Sequence, residues 1–187
     1  APNTFADYTT TEYGGTFIMT DETLHSTIQN MISANNYLYI VGTSSINVVS
    51  DVRVSTSPSA TIFSNINISA SVGSNQPYSM IPYYRSLLFA NNYGIYSLYG
   101  STAQKISDAL DGTFQLLNTA NAISAGQFQL YDILCVAFLA TYNDPIQGTR
   151  QILFCQFNKK WFIASQGSIT NITSIPKGGT PTLYGTD

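Results

Sequence analysis

The sequence predicts an all-β fold, a propeller-like array of antiparallel strand modules with about three to four blades, and three observations carry that prediction. The first is an internal repeat. Tyr37-Leu-Tyr-Ile-Val-Gly-Thr-Ser-Ser-Ile-Asn-Val-Val-Ser-Asp51 aligns without a gap on Ser86-Leu-Leu-Phe-Ala-Asn-Asn-Tyr-Gly-Ile-Tyr-Ser-Leu-Tyr-Gly100, placing Leu38 on Leu87 and Ile46 on Ile95, 49 residues apart. Asp132-Ile-Leu-Cys-Val-Ala137 reads as a weaker third copy of the first strand, 46 residues on, with Ile133 against Leu87. A repeat of about 40–50 residues built from strand pairs marks a radial β-array, and on this count the chain suits part of a larger propeller. The second observation is turn chemistry between apolar runs, best seen at Asn91-Asn-Tyr-Gly94, where Asn and Gly tolerate positive φ. The third is composition. Charged residues are 9% of the chain, where about 25% is usual, and hydrophobic residues are 44% with 13 Tyr and 10 Phe.

Taken in order, residues 1–27 are polar and Thr-rich, an N-terminal arm or partial blade with Phe17-Ile-Met19 as a short strand and His25 in a surface loop. The repeated modules occupy 28–176, at approximately 35–80, 81–128 and 129–176. Apolar residues at 28, 31 and 32 suit either a helix or a strand. Tyr37–Val41 and Ile46–Val54 are strands by β-branched and aromatic content, with Arg53 facing solvent and Pro58 ending the second. Ala60–Ala70 alternates apolar and polar over its second half, the period of a half-buried strand.

Ser86–Ala90 and Ile95–Tyr99 form the next pair. Ser107-Asp-Ala-Leu-Asp-Gly112 follows as a short helical turn capped by Ser107, and Phe114–Ile123 is an apolar run of ambiguous type. The third module has strands at 131–140, 151–157 and 160–164, with Ile169–Ile175 as a fourth. Residues 177–187, after Pro176, are turn-rich and read as a C-terminal linker or tail.

Several function classes lack their chemistry. The net charge is −3, and the seven basic residues form no run longer than two. Sequence-specific nucleic-acid binding needs a basic footprint, so it is not expected. No run of 18 apolar residues is present, which predicts no membrane span. The chain opens Ala1-Pro2 without a signal peptide, as a processed or excised fragment would. Asn67-Ile-Ser69 and Asn171-Ile-Thr173 match a glycosylation pattern that this composition makes common.

A lone histidine, His25, in a polar stretch favours a surface residue over a catalytic base. Cys135 and Cys155 fall on what reads as a hairpin around Tyr142–Gly148, and buried free thiols are favoured over a disulfide. With His25 these are the chain's whole supply of soft ligands, so no metal and no cofactor is expected. Asp51, Asp108, Asp111, Asp132 and Asp144 are the carboxylates open to acid–base pairing, yet no spacing singles out a pair. Asp108 and Asp111 read as turn and cap residues rather than calcium ligands. The sequence therefore predicts no enzyme.

Aromatic residues remain as candidates for recognition. Tyr78, Tyr83, Tyr84, Tyr93, Tyr96 and Tyr99 cluster within 22 residues. On strands they read as packing, while Tyr93 in a turn suits packing or an interface and sugar-stacking contact equally. Tyr83, Tyr84, Tyr93, Tyr96 and Trp161 are the candidate interface residues.

The run from Tyr84 to Phe114, with its Leu-Leu-Phe-Ala strand, Asn-Asn-Tyr-Gly turn and Lys105-Ile-Ser107 turn, resembles the β-propeller blades of tailed-bacteriophage structural proteins. Asn158-Lys-Lys-Trp161, a polar turn with Trp opening the next strand, is similar too. The likeness spans about residues 30–175 and points to tail-hub, packaged-DNA stabilisation and neck components. It implies a virion location, a homo-oligomeric ring that continues the portal channel, and partners among portal, tail or neck proteins. A host-surface or glycan-binding module is the alternative.

Overall fold

The computed structural model describes residues 26–56 and 59–187. The readings of the Phe17–Met19 strand, the His25 loop and Pro58 lie outside those residues. The chain divides into two compact units, at Gly73 and Ser74.

The first unit holds one four-stranded sheet in sequence order: β1 (Ile28–Ala34), β2 (Tyr37–Gly42), β3 (Ile46–Thr56) and β4 (Ser59–Ser69). The second unit begins with a like sheet of β5 (Ile81–Tyr83), β6 (Ser86–Asn91), β7 (Gly94–Tyr99) and β8 (Thr102–Lys105). A 3₁₀ turn at Asp108–Leu110 and one helical turn at Asp111–Phe114 lead to β9 (Ser124–Leu130), β10 (Ile133–Asp144), β11 (Gly148–Phe157) and β12 (Lys160–Gln166). These form a third meander. The hairpin β13 (Asn171–Lys177) and β14 (Thr180–Thr186) follows. Every pairing is antiparallel and joins sequence neighbours.

The repeat is visible in the register. The first two strands of each sheet close on Ala34↔Tyr37, Tyr83↔Ser86, Leu130↔Ile133 and Lys177↔Thr180, so the turns start at positions 35, 84, 131 and 178, intervals of 49, 47 and 47. Asn35-Asn36, Tyr131-Asp132 and Gly178-Gly179 all have positive φ at both positions, the mark of a two-residue type I′ turn whose twist matches its strands. The next hairpin repeats as well: Leu38↔Val49 and Val41↔Ile46 correspond to Leu87↔Leu98 and Ala90↔Ile95 at the 49-residue offset.

Four sequence-based expectations are corrected. The third copy matches Leu134, not Ile133, to Leu87, because the interval is 47. A one-residue slip exchanges the two faces of a strand. The fourth strand of the third sheet is β9, not Ile169–Ile175, which falls largely in β13 of the separate hairpin. Residues 177–187 are not a linker: the Gly178-Gly179 turn folds them back as β14. Ser107 holds the N-cap position, its carbonyl accepting the Leu110 N–H at 2.8 Å, but not through its side chain, whose hydroxyl instead accepts the Ile95 N–H at 2.8 Å.

In the first unit, Ile40 and Val49 form a small core with Phe63. Beside them the buried Asn47 carboxamide donates to Asn65 Oδ1 (3.1 Å) and accepts from Asn67 Nδ2 (2.9 Å), which satisfies its polar atoms. The second unit is layered. One face of the third sheet, with Val136, Phe138, Ala140, Ile152 and Phe154, packs on Leu88, Ala90 and Ile95 of the second sheet and on Leu110, Phe114 and Leu117. Each fully buried large side chain there contributes roughly 1.5–3 kcal/mol. The opposite face, with Ala137 and Leu139, packs on Ile172 and Leu183 of the hairpin. Gly126 on β9 is where the hairpin comes closest, since a Cβ there would run into Leu183 and the Thr173 backbone.

Candidate interaction surface

The five candidate aromatic residues take three different positions. Tyr83 and Trp161 fasten the second sheet to the third. Tyr83 ends β5, and its hydroxyl donates to the Leu134 carbonyl at 3.0 Å, while burial raises its pKa above the ordinary phenol value. Trp161 opens β12, with its indole N–H on the Ile106 carbonyl at 2.8 Å and its ring tilted over Phe138 at 6.3 Å. Tyr96 lies along β7, stacked on Phe89 at 5.7 Å.

Tyr84 and Tyr93 are free of such duties. Tyr84 occupies the β5–β6 turn at φ 52°, exposed, with the Tyr83 ring edge-on at 4.7 Å. Tyr93 stands in the β6–β7 turn, 75% exposed, with its backbone N–H held by Asn91 Oδ1. Successive turns of a meander alternate between the two ends of a sheet, so Tyr84 and Tyr93 are at opposite ends. They do not form one patch.

Tyr84 instead shares its end with a residue the sequence reading passed over. The Tyr83–Leu134 bond brings the β5–β6 turn beside the β9–β10 turn, whose Tyr131 is 86% exposed and flanked by exposed Leu130 and Ile133. Tyr99, at the β7–β8 turn, stands at that end of the second sheet too. The available signal was Tyr131-Asp132 itself, a two-residue turn between strands, which is hidden when β9 is not recognised. The result is a rim of phenol rings on short turns. Such rings offer large apolar area and a hydroxyl donor at low conformational cost, the makings of a contact surface.

Four of the five candidate carboxylates are occupied by cations or backbone, and Asp132 Oδ1 accepts from Gln129 Nε2 at 3.2 Å. Lys105 Nζ lies 2.6 Å from Asp111 and 3.9 Å from Asp108, and the Asp111 bond raises the lysine pKa. Asp144 accepts the N–H groups of Gln147 and Ile146 and pairs with Arg150 at 2.8 Å, contacts that hold its carboxyl below the usual range. Arg53, exposed as expected, pairs with Asp51 at 3.4 Å. Both cysteines are free thiols on one face of the third sheet, and burial pushes the Cys155 thiol up to about 11. Among the described residues no three His, Cys, Asp or Glu side chains gather as a metal centre, and no helix is long and apolar enough to cross a membrane.

Comparison with known proteins does not extend these observations: no family model matches the chain, and no curated protein matches it.

Proposed function

We propose that this chain is a non-enzymatic structural module, its sheets arrayed as propeller-like blades, that acts through subunit interfaces in a bacteriophage virion at the portal-proximal tail or neck. The observation that carries the structural half is the repeated hairpin register at positions 34, 83, 130 and 177. A module that recurs in one register, with the third sheet packed between the second sheet and the hairpin, suits a scaffold, and scaffolds work by shape. The virion half rests on the likeness of Tyr84–Phe114 to phage propeller blades. Light scattering and negative-stain imaging of the chain, alone and mixed with portal, tail and neck proteins, test it. Rings or defined complexes are expected; a monomer with no affinity for any of these would overturn the reading.

A second reading, a host-surface or glycan-binding module, is favoured by the exposure of Tyr93 and Tyr131 on short turns. Binding on a glycan array that is abolished by Tyr93→Ala or Tyr131→Ala would move the conclusion to it.

A further inference from the structure

The end of the second sheet opposite Tyr84 is built from three loop segments that buried polar side chains tie together. Ser74 Oγ donates to the Ala90 carbonyl at 2.6 Å, and Ser79 Oγ accepts the Ala90 N–H at 2.9 Å, which seats residues 74–79 against the end of β6. The Gln76 carboxamide donates to the Thr119 carbonyl and accepts the Ile123 N–H, both at 2.9 Å, and so draws in residues 118–123. Ser74, Gln76 and Ser79 are all buried. In the β6–β7 turn, Asn91 Oδ1 holds the Tyr93 N–H at 2.9 Å. The loops are fixed from beneath, so the groups they present to solvent need little further ordering to bind.

Those groups are uniform in chemistry. Tyr78 is 67% exposed and Tyr93 75%. Joining the two segments that carry them, Asn75 Nδ2 donates to Asn92 Oδ1 at 2.7 Å on the surface. Asn121 is exposed on the third segment. Residues 74–79, 91–94 and 118–123 contain five asparagines, two tyrosines and no charged residue. Lys105, beside Gly94, is already paired with Asp111 at 2.6 Å. These segments expose no large aliphatic side chain, whereas the Tyr131 turn is flanked by exposed Leu130 and Ile133.

We propose that this end is a binding site for a neutral saccharide. A phenol ring stacks on the C–H face of a pyranose and buries apolar area without a charged partner. Each carboxamide carries donors and an acceptor side by side, and vicinal sugar hydroxyls offer the complement. A protein partner calls for a more apolar centre than two tyrosines among asparagines supply. A sulfated, phosphorylated or carboxylated sugar calls for a cation to meet it, and these segments bring none. The inference rests on the glycan-binding reading and gives it a place and a ligand class.

The test is binding of the 187-residue chain to an array of neutral oligosaccharides of glucose, galactose, mannose and N-acetylglucosamine, with sialylated and sulfated glycans beside them. Titration calorimetry with the best-bound neutral oligosaccharide follows. Tyr78→Ala and Tyr93→Ala should each weaken binding about tenfold, while Tyr93→Phe, which keeps the ring, should stay within about threefold of the parent. Tyr131→Ala, at the other end, should leave affinity unchanged. Because Tyr78 and Tyr93 are exposed, the urea midpoints of their alanine variants should match the parent, which separates a lost contact from a lost fold. A loss on Tyr131→Ala as large as those on Tyr78→Ala and Tyr93→Ala would overturn the site and leave the glycan reading standing. Binding confined to the sialylated or sulfated glycans would overturn the ligand class. Binding to no glycan would overturn the inference and that reading together.

Discussion

The two faces of β11 carry similar side chains and meet different fates. Ile152 and Phe154 look toward a four-stranded neighbour and are buried; Leu153 and Cys155 look toward a two-stranded one and are not fully covered. Leu38 and Leu87 also differ across the repeat. They hold equivalent register positions, Leu38↔Val49 and Leu87↔Leu98, yet one is 38% exposed and the other 1%. Local sequence sets the strand and its pairing, while on β11 the width of the adjoining layer sets the burial.

The sharpest way to break that comparison is to truncate one side chain on each face. Phe154→Ala should destabilise by about 3–5 kcal/mol, since it opens a cavity against Phe114 and the second sheet. Leu153→Ala should cost only about 1–2 kcal/mol, because its site is partly open already. Urea midpoints of the two variants measure the difference, and equal losses would mean that the hairpin covers its face as fully as the second sheet does. Next in size is Gly126→Val. Its side chain would push Leu183 and Thr173 off β9, at about 1–3 kcal/mol, and the hairpin amides should lose exchange protection before those of β6 and β10.

Gly126 also explains why part of this fold was hard to read. Ser124-Ala-Gly-Gln-Phe-Gln-Leu130 is a poor strand by propensity, and its glycine is there because the hairpin presses on it. Residues 177–187 looked like a tail since Gly-Gly and Pro are breakers, yet Gly178-Gly179 supplies a type I′ turn and Pro181 sits on a strand that has one sheet partner among the described residues. The Asn91–Gly94 turn and the 49-residue echo were legible because they depend on local chemistry alone. The site divides in the same way. Exposure of Tyr84 and Tyr93 follows from their turns, whereas the fastening roles of Tyr83 and Trp161 depend on carbonyls at Leu134 and Ile106, distant in sequence.

Trp161→Phe keeps most of the ring and removes one donor. It should cost about 1 kcal/mol, the net worth of the bond to Ile106. A loss several times larger would show that the indole N–H orders the junction between the two sheets, which would make the covered face depend on its fastening as well as on its width.

A pH dependence reports how wet the half-covered face is. Burial, with a lesser contribution from nearby Cys135, pushes the Cys155 thiol up to about 11 from an ordinary value near 9. The raised value means that the folded state holds this proton more tightly than the unfolded one. The associated stability is therefore fully present below about pH 9 and is lost as pH rises from there through about 11. Cys155→Ala should flatten the fall in urea midpoint across that window, and Cys155 should alkylate more slowly than a small free thiol at pH 8. Ordinary alkylation would mean that water reaches the sulfur freely, and the hairpin side of β11 would then be open to solvent rather than half-covered.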